Sequence, residues 1–195
     1  MKKKSFFVNY FRETKKIFEQ IESYEEQILL VKKIFENTSK KGRKVIIVGN
    51  GGSAAIASHV SVDLSKNANI RSVNFNDADL ITCLSNDYSY EDWIISALKM
   101  YVDNGDVVIL ISSSGRSKNH IKAASFLIKN KINLITFTGN DKNNLLKKTN
   151  AKGINFWIDS KSYNLIEISH LYILLMIVDL IIGRSSYSAS RKIKS

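Results

Sequence analysis

A glycine-rich segment with the sequence Gly49-Asn50-Gly51-Gly52-Ser53 carries groups that could bind a phosphate. It follows a run of β-branched residues and precedes a helical pattern, which is typical of a turn from a strand into a helix. Glycine lets a ligand approach the backbone because no Cβ stands in the way, and Ser53 adds a hydroxyl at the start of the helix. Helix N-termini attract anions through unpaired N–H groups. The alternative interpretation of this segment is an ordinary strand-to-helix turn in which the serine caps the helix.

A second segment, residues 112–117 with the sequence SSSGRS, repeats this arrangement with hydroxyl groups. Several serines in one turn offer side-chain and backbone donors to phosphate oxygens, although serines also serve as plain helix caps. Neither segment has the Gly-Lys-Ser/Thr ending of a nucleoside triphosphate loop or the GxGxxG spacing of a dinucleotide fold. Together they predict a phosphorylated ligand that is neither a nucleoside triphosphate nor NAD.

His59 and Asp63 could contribute acid–base or metal chemistry near the first segment. They are four residues apart in the helix predicted after Gly52, so both side chains project from one face. This spacing is common in metal-binding and acid–base pairs. A helix-stabilising pair on a solvated face is the alternative interpretation.

Strand and helix patterns alternate along the chain, and this alternation would place the two segments side by side. Strands are predicted at residues 45–48, 107–111, 134–137 and 154–158, and helices at about 5–41 (one or two), after Gly52, at 119–129 and at 164–182, ending at Gly183. Alternating strands and helices predict an α/β fold in which helices cover both faces of a parallel sheet. Ligands of such sheets bind beyond the carboxyl ends of the strands, where both segments are expected.

The size and composition are those of one globular domain with a substantial core. The chain has 195 residues, of which 44% are hydrophobic. We therefore predict a single domain over residues 1–195, with an N-terminal helical segment at 1–41 and a poorly ordered polar tail at 184–195. The apolar N-terminal helices indicate a buried oligomer surface.

Charge and hydropathy limit the expected partners and location. The net charge of +11 lies in separate clusters rather than in one basic stripe interleaved with aromatic residues, so a solvated surface is expected and a nucleic-acid partner is not. The N-terminus has no secretion-signal pattern. The apolar stretch at 171–182 is interrupted by Asp179 and is too short to cross a bilayer, which indicates a buried helix in a cytoplasmic protein. The single cysteine, Cys83, is predicted to be a small core residue.

Three ordered motifs, at residues 49–55, 85–87 and 112–117, resemble those of the sugar isomerase (SIS) domain, and more narrowly those of the phosphoheptose isomerases. The resemblance covers nearly the whole chain. It implies a three-layer αβα fold and a cytoplasmic homotetramer that isomerises sedoheptulose 7-phosphate in heptose synthesis for lipopolysaccharide or capsule, with active sites at subunit interfaces. By matching motif it assigns the phosphate to Ser53, Ser112, Ser113, Ser114 and Ser117, and the sugar to Asn50, Gly51, Gly52, Asn86, Asp87 and Glu167.

The resemblance also implies a zinc site, and there this chain departs from the family pattern. A His and a Glu of the family match His59 and Asp63, so the second carboxylate is one methylene shorter here. A Gln followed eight residues later by a His matches Glu167 and Leu175, and leucine can neither bind zinc nor transfer a proton. His59, Asp63 and Glu167 remain as candidate metal ligands and catalytic groups, with or without zinc. His170 matches a different family histidine and is expected to be a packed or helix-surface residue.

Two functions are consistent with these observations. The first is a ketose/aldose phosphosugar isomerase with Glu167 or Asp63 as base and His59 as acid or ligand. The second is a non-catalytic SIS protein similar to the relative that associates with the bacterial replication initiator and has also lost the zinc-binding pattern. Intact phosphate loops favour the first function, whereas Leu175 and the basic surface favour the second.

Overall fold

The computed structural model describes residues 3–187, which form helices packed around a parallel sheet. The elements, in chain order, are α1 Lys3–Glu22, α2 Glu25–Lys40, β1 Val45–Gly49, α3 Gly52–Lys66, β2 Ser72–Asn74, α4 Ala78–Asp87, α5 Trp93–Tyr101, β3 Val107–Ser112, α6 Lys118–Lys129, β4 Asn133–Gly139, α7 Leu145–Thr149, β5 Ile154–Ile158 and α8 Tyr163–Ile182.

The sheet has five parallel strands in the order β2-β1-β3-β4-β5. Alternate residues of a strand point to opposite faces, and helices cover both faces of this sheet, which is why β1 and the first five residues of β3 are apolar. In β1, Val45 and Ile47 join a core with α1, α2, α3 and α8, while Ile46 and Val48 join a second core with α4, α5, α6 and α7. The predicted three-layer α/β architecture is confirmed.

The four strands predicted from apolar runs are present, but several short elements escaped the sequence patterns. β2 is an edge strand of three residues that are not buried, so it has no apolar run to find. The helices α4 and α7 each bury a single residue, Leu84 and Leu146 respectively, which leaves little helical periodicity. Short elements at the periphery of a core carry a weak hydrophobic signal.

The N-terminal segment forms two helices, which break at Ser23 and Tyr24. The Tyr24 hydroxyl donates to the carbonyl oxygen of Trp157 at 2.7 Å, and the Gln20 amide donates to the same oxygen at 2.7 Å. On α1, Glu13 accepts a hydrogen bond from the Ser160 hydroxyl at 2.6 Å. These polar contacts fix both helices against the end of β5.

The last helix, α8, runs one residue further at its N-terminus than predicted and ends at Gly183 in the left-handed conformation. Its 20 residues are apolar enough, by length and composition, to cross a membrane, so the prediction that this segment is too short does not hold for the whole helix. A core helix passes the same test, and eight residues of α8 are buried. α8 packs against α2 and α3.

Two sequence predictions concern peripheral residues. Cys83 is exposed on α4, so the prediction of a core cysteine is wrong: α4 buries only Leu84, and the Cys83 thiol instead lies 3.5 Å from Oδ2 of Asp87. The hydrogen bond to that carboxylate raises the pKa of the Cys83 thiol. The predicted disorder of the tail at 184–195 falls mainly on residues 188–195, which lie outside the described residues.

Candidate active site

The two phosphate-type segments lie side by side at the carboxyl edge of the sheet. β1 pairs with β3 in parallel, with Gly49 opposite Ile111, so the turns that follow these strands are neighbours. After β1 the chain crosses to β2 on one side, and β3 continues the sheet on the other side. This is the topological switch point, where open parallel sheets bind their ligands. The segments therefore flank one crevice.

The first segment enters α3 through a tight turn. A Cβ at Gly49 would lie 2.4 Å from the backbone carbon of Ser53, so only glycine fits at the end of β1. The Ser53 N–H donates to the carbonyl oxygen of Asn50 at 3.0 Å, and Gly51 is the N-cap of α3. Gly51 and Gly52 are exposed, whereas Ser53 is buried. The exposed backbone at the start of α3 is thus accessible to a ligand.

The serine segment combines partnered and unpartnered hydroxyl groups. The Ser112 hydroxyl lies 3.3 Å from the Ser117 hydroxyl, and the Ser114 hydroxyl accepts from the backbone N–H of Arg116 at 3.3 Å. Ser113 is 6% exposed, and its buried hydroxyl has no hydrogen-bond partner among the residues described. A buried polar group without a partner is costly, so Ser113 fits a site completed by a ligand oxygen.

The carboxylate of Glu167 lies directly over the first segment. A Cβ at Gly52 would be 2.2 Å from Oε2 of Glu167, so α8 brings this carboxylate against the first residue of α3. Within residues 3–187 Glu167 makes no hydrogen bond or ion pair, and its side chain is half-buried. A free carboxylate beside a phosphate-type loop is available to accept a proton from a bound ligand.

His59 and Asp63 lie further along α3 than the Glu167 carboxylate. Nε2 of His59 is 3.4 Å from Oδ2 of Asp63, as the helical spacing predicts. At 1.5 Å per residue, His59 is about 10 Å and Asp63 about 16 Å along the helix from Gly52. Among the described residues no group of three or more His, Cys, Asp and Glu side chains could hold a metal ion. The donor set of one chain therefore does not fit zinc.

Asn86 and Asp87 are exposed at the end of α4, where their side chains hydrogen-bond to each other. The Asn86 amide donates to Oδ1 of Asp87 at 3.1 Å, and Asp87 also contacts Cys83. Neither side chain hydrogen-bonds to the loops within the described part of the chain. Their assignment to the sugar stays a prediction.

Comparison with known proteins gives the family. The model of the SIS domain matches residues 9–139, which is more than half of the chain. The chain belongs to the SIS-domain family. The resemblance predicted from the sequence motifs is thereby confirmed.

Relatives and solved structures of this family point to one subgroup. The chain is 33% identical over 147 residues to a protein named phosphoheptose isomerase from Thermodesulfovibrio yellowstonii, covering 71% of this chain and 72% of the relative. It is 30% identical to another of that name from Colwellia psychrerythraea. The structure of phosphoheptose isomerase GmhA from Neisseria gonorrhoeae superposes with a TM-score of 0.82 at 22% identity, over 91% of this chain and 98% of that one. This last likeness shows the fold.

Two further residues lie on α8: His170, which the sequence analysis expected to be packed or on the helix surface, and Asp179, which it did not assign to the site. His170 is fully buried; its Nε2 lies 3.1 Å from the carbonyl oxygen of Thr138, and burial lowers its pKa to about 4. Burial, and then the negative charge of Asp63, raise the pKa of the Asp179 carboxyl. Asp179 and Leu175 line a cleft of about 620 Å³ on α8. An isolated acidic residue in an apolar helix was the available signal for Asp179.

Proposed function

We propose that this protein is a phosphosugar isomerase acting on sedoheptulose 7-phosphate or a related ketose phosphate. The proposal rests on the Glu167 carboxylate, which lies against Gly52 and has no hydrogen bond or ion pair within the described residues. Gly52 belongs to the crevice that the two phosphate-type segments form at the switch point of the sheet. Phosphate loops without an adjacent base would support binding alone. The names of the relatives support the same substrate class.

The chemistry requires that a proton move between neighbouring carbons. A base removes a proton from C1 of the ketose, the resulting enediolate accepts a proton at C2, and one proton passes from O1 to O2 to leave the aldose. Glu167 is the base in this proposal, because its carboxylate lies against Gly52 at the first phosphate-type segment. The buried Ser113 hydroxyl and the N-terminus of α3 hold the phosphate, and Gly51 and Gly52 leave room for the sugar.

Incubation with sedoheptulose 7-phosphate in deuterated water tests the proposal. We expect incorporation of deuterium at C2 of the aldose and exchange at C1 of the ketose, followed by NMR. Ser113→Ala is expected to weaken substrate binding about tenfold, because it removes one donor from the phosphate. Absence of exchange at millimolar substrate, with or without zinc, would contradict an isomerase.

Zinc binding provides a second prediction, which depends on how α3 and α8 run side by side. Glu167 lies at Gly52, and Asp179 lies close enough to Asp63 to feel its charge, so the two helices run parallel. By the same offset we expect Leu175 to lie beside His59. We expect the natural chain to bind zinc weakly, and Leu175→His to gain at least about tenfold in zinc affinity through a third donor near His59 and Asp63.

The zinc titration needs a matched control on the same helix. Tyr163→His places an exposed imidazole at the first residue of α8, twelve residues and about 18 Å along the helix from Leu175, and should leave zinc affinity unchanged. Tight zinc binding by the natural chain, removed by His59→Ala, would contradict the prediction and would imply that a second copy supplies the missing ligands.

We also propose that the chain forms a homo-oligomer, a tetramer by resemblance to the family, in the cytoplasm. On α1, Phe7 is 63% and Phe11 is 58% exposed, and their rings pack together in a tilted arrangement with centroids 4.8 Å apart. Exposed aromatic residues on one helix face are typical of a surface that another chain covers. Phe7→Glu/Phe11→Glu should dissociate the oligomer in light-scattering chromatography, while Lys15→Glu/Lys16→Glu on the same helix should not. A monomeric natural chain would contradict this proposal.

A non-catalytic binding protein is the second candidate, favoured by Leu175 on α8 where the family pattern has a His. In that case the crevice would bind a sugar phosphate without converting it, or it would have only a structural role. Purified replication initiator should then bind the chain directly. Turnover of sedoheptulose 7-phosphate together with no binding of the initiator would remove this candidate.

A further inference from the structure

The two loops of the crevice are connected by a pair of asparagine side chains. Nδ2 of Asn50 donates to Oδ1 of Asn119 at 3.3 Å, and Nδ2 of Asn119 donates to Oδ1 of Asn50 at 3.4 Å. Asn50 belongs to the turn after β1, and Asn119 lies in the first turn of α6, directly after the serine loop. This reciprocal amide pair spans 69 residues of sequence.

The orientation of Asn119 is fixed by groups behind it. Asn119 is 2% exposed, and its Oδ1 accepts from the backbone N–H of His120 at 2.9 Å. Nδ1 of the buried His120 ring lies 3.0 Å from the same oxygen. A backbone N–H can only donate, so the oxygen of Asn119 must face His120, and the amide cannot flip. The orientation of Asn50 then follows, because its nitrogen must face that oxygen.

The pair leaves half of the Asn50 amide unused. A side-chain amide has two N–H donors and two acceptor lone pairs, and Asn119 engages one of each. Asn50 is half-buried at the crevice, so one N–H and one lone pair remain there, on opposite edges of the planar amide. The free N–H can donate to a carbonyl or hydroxyl oxygen and the free lone pair can accept from a hydroxyl, and the reacting end of a ketose carries both kinds of group.

We infer that Asn119 is a positioning residue, which holds the Asn50 amide in the one orientation that presents its free N–H and its free lone pair to the hydroxyl and carbonyl groups of the sugar. The inference rests on the proposed isomerase function for its chemical meaning. It predicts that Asn119 affects the sugar and not the phosphate, since the serine loop and α3 hold the phosphate. Asn119 contacts no substrate atom.

The first measurement requires no substrate. In the ¹⁵N-labelled protein, the side-chain amide signals of Asn50, assigned by their loss in Asn50→Asp, should be distinct and slow to exchange with solvent. Asn119→Ala removes Oδ1, which accepts the Asn50 N–H, together with the Nδ2 donor, and it adds no charge beside the serine loop. We expect the Asn50 amide to exchange at least about tenfold faster in this variant. Unchanged exchange would overturn the inference, whatever the function of the protein.

The second measurement separates positioning from folding. For Asn119→Ala we expect kcat/KM for sedoheptulose 7-phosphate to fall about tenfold to a hundredfold, with the inhibition constant of inorganic phosphate within about twofold of the natural protein. Asn150→Ala is the matched control: this buried asparagine donates to the carbonyl oxygens of Leu134 and Ile154 at the opposite edge of the sheet. It should lower the melting temperature without this selective loss.

The outcomes distinguish the inference from the proposed function. Equal loss of phosphate and sugar phosphate recognition in Asn119→Ala, or the same selective loss in Asn150→Ala, would overturn the positioning role of Asn119. A natural protein that binds phosphate but never turns over a ketose phosphate would overturn the isomerase proposal and, with it, the role of Asn119 in the reaction. Faster exchange of the Asn50 amide in the Asn119 variant would then still show that the Asn50–Asn119 pair connects the two loops.

Discussion

Replacing Glu167 by alanine is expected to lower kcat for sedoheptulose 7-phosphate by about a thousandfold, within the range ordinarily supplied by a positioned general base. The carboxylate lies against Gly52 and has no partner within the described residues, so its removal leaves no buried group unsatisfied. The melting temperature should therefore change little. Rate measurements under saturating substrate, with thermal unfolding of the same samples, check both halves of this prediction.

Two companion variants separate the chemistry of Glu167 from its shape. Glu167→Gln keeps the size of the side chain and restores the residue type of the family pattern, but an amide cannot accept the proton; we expect it to be as inactive as Glu167→Ala. Gly52→Ala keeps the carboxylate but forces it away, because the new methyl group would lie 2.2 Å from Oε2. It should lose about a hundredfold in kcat. Full activity in Glu167→Gln would show that another group is the base.

The sequence located the phosphate-type loops because their signal is local. Glycines and serines at the ends of apolar runs indicate both a strand-to-helix turn and a ligand site. Parallel pairing of β1 and β3 then brings the loops together without any further information from the side chains. The same reasoning failed to find Asn119, since one asparagine at a helix start normally indicates a cap. Its role depends on the distance to Asn50, which only the fold provides.

The positions of Glu167, His59 and Asp63 relative to one another could not be predicted from the sequence either. Matching motifs placed the three residues in one candidate site, but motifs do not specify how two helices are offset along their axes. The contacts of α8 with α3 put Glu167 at Gly52, two turns before His59. The site of one chain is therefore divided into a carboxylate at the phosphate loops and a His–Asp pair further along α3. Copies of the chain in an oligomer could combine these parts.

Acidification is expected to destabilise the fold through two buried histidines. Burial lowers the pKa of His120 and of His170 to about 4, well below the value of 6.5 for an exposed imidazole. Between these values the unfolded chain binds protons that the folded chain excludes, so stability falls as the pH decreases through this window. By pH 5 each histidine should cost about 2 kcal/mol of unfolding free energy relative to pH 7. Urea unfolding at half-unit steps from pH 7.5 to 5 measures the slope.

The third histidine provides the control for this slope. His59 has a side chain that is 54% exposed, so His59→Gln should retain the full loss of stability on acidification. His170→Leu removes one of the two buried imidazoles and should reduce the loss by about half, even though the variant forfeits the contact with Thr138 and is less stable at pH 7. A slope that disappears in His59→Gln and persists in His170→Leu would assign the effect to the surface. We instead expect the loss of stability to depend on His170 and not on His59, because burial keeps His120 and His170 neutral in the folded chain.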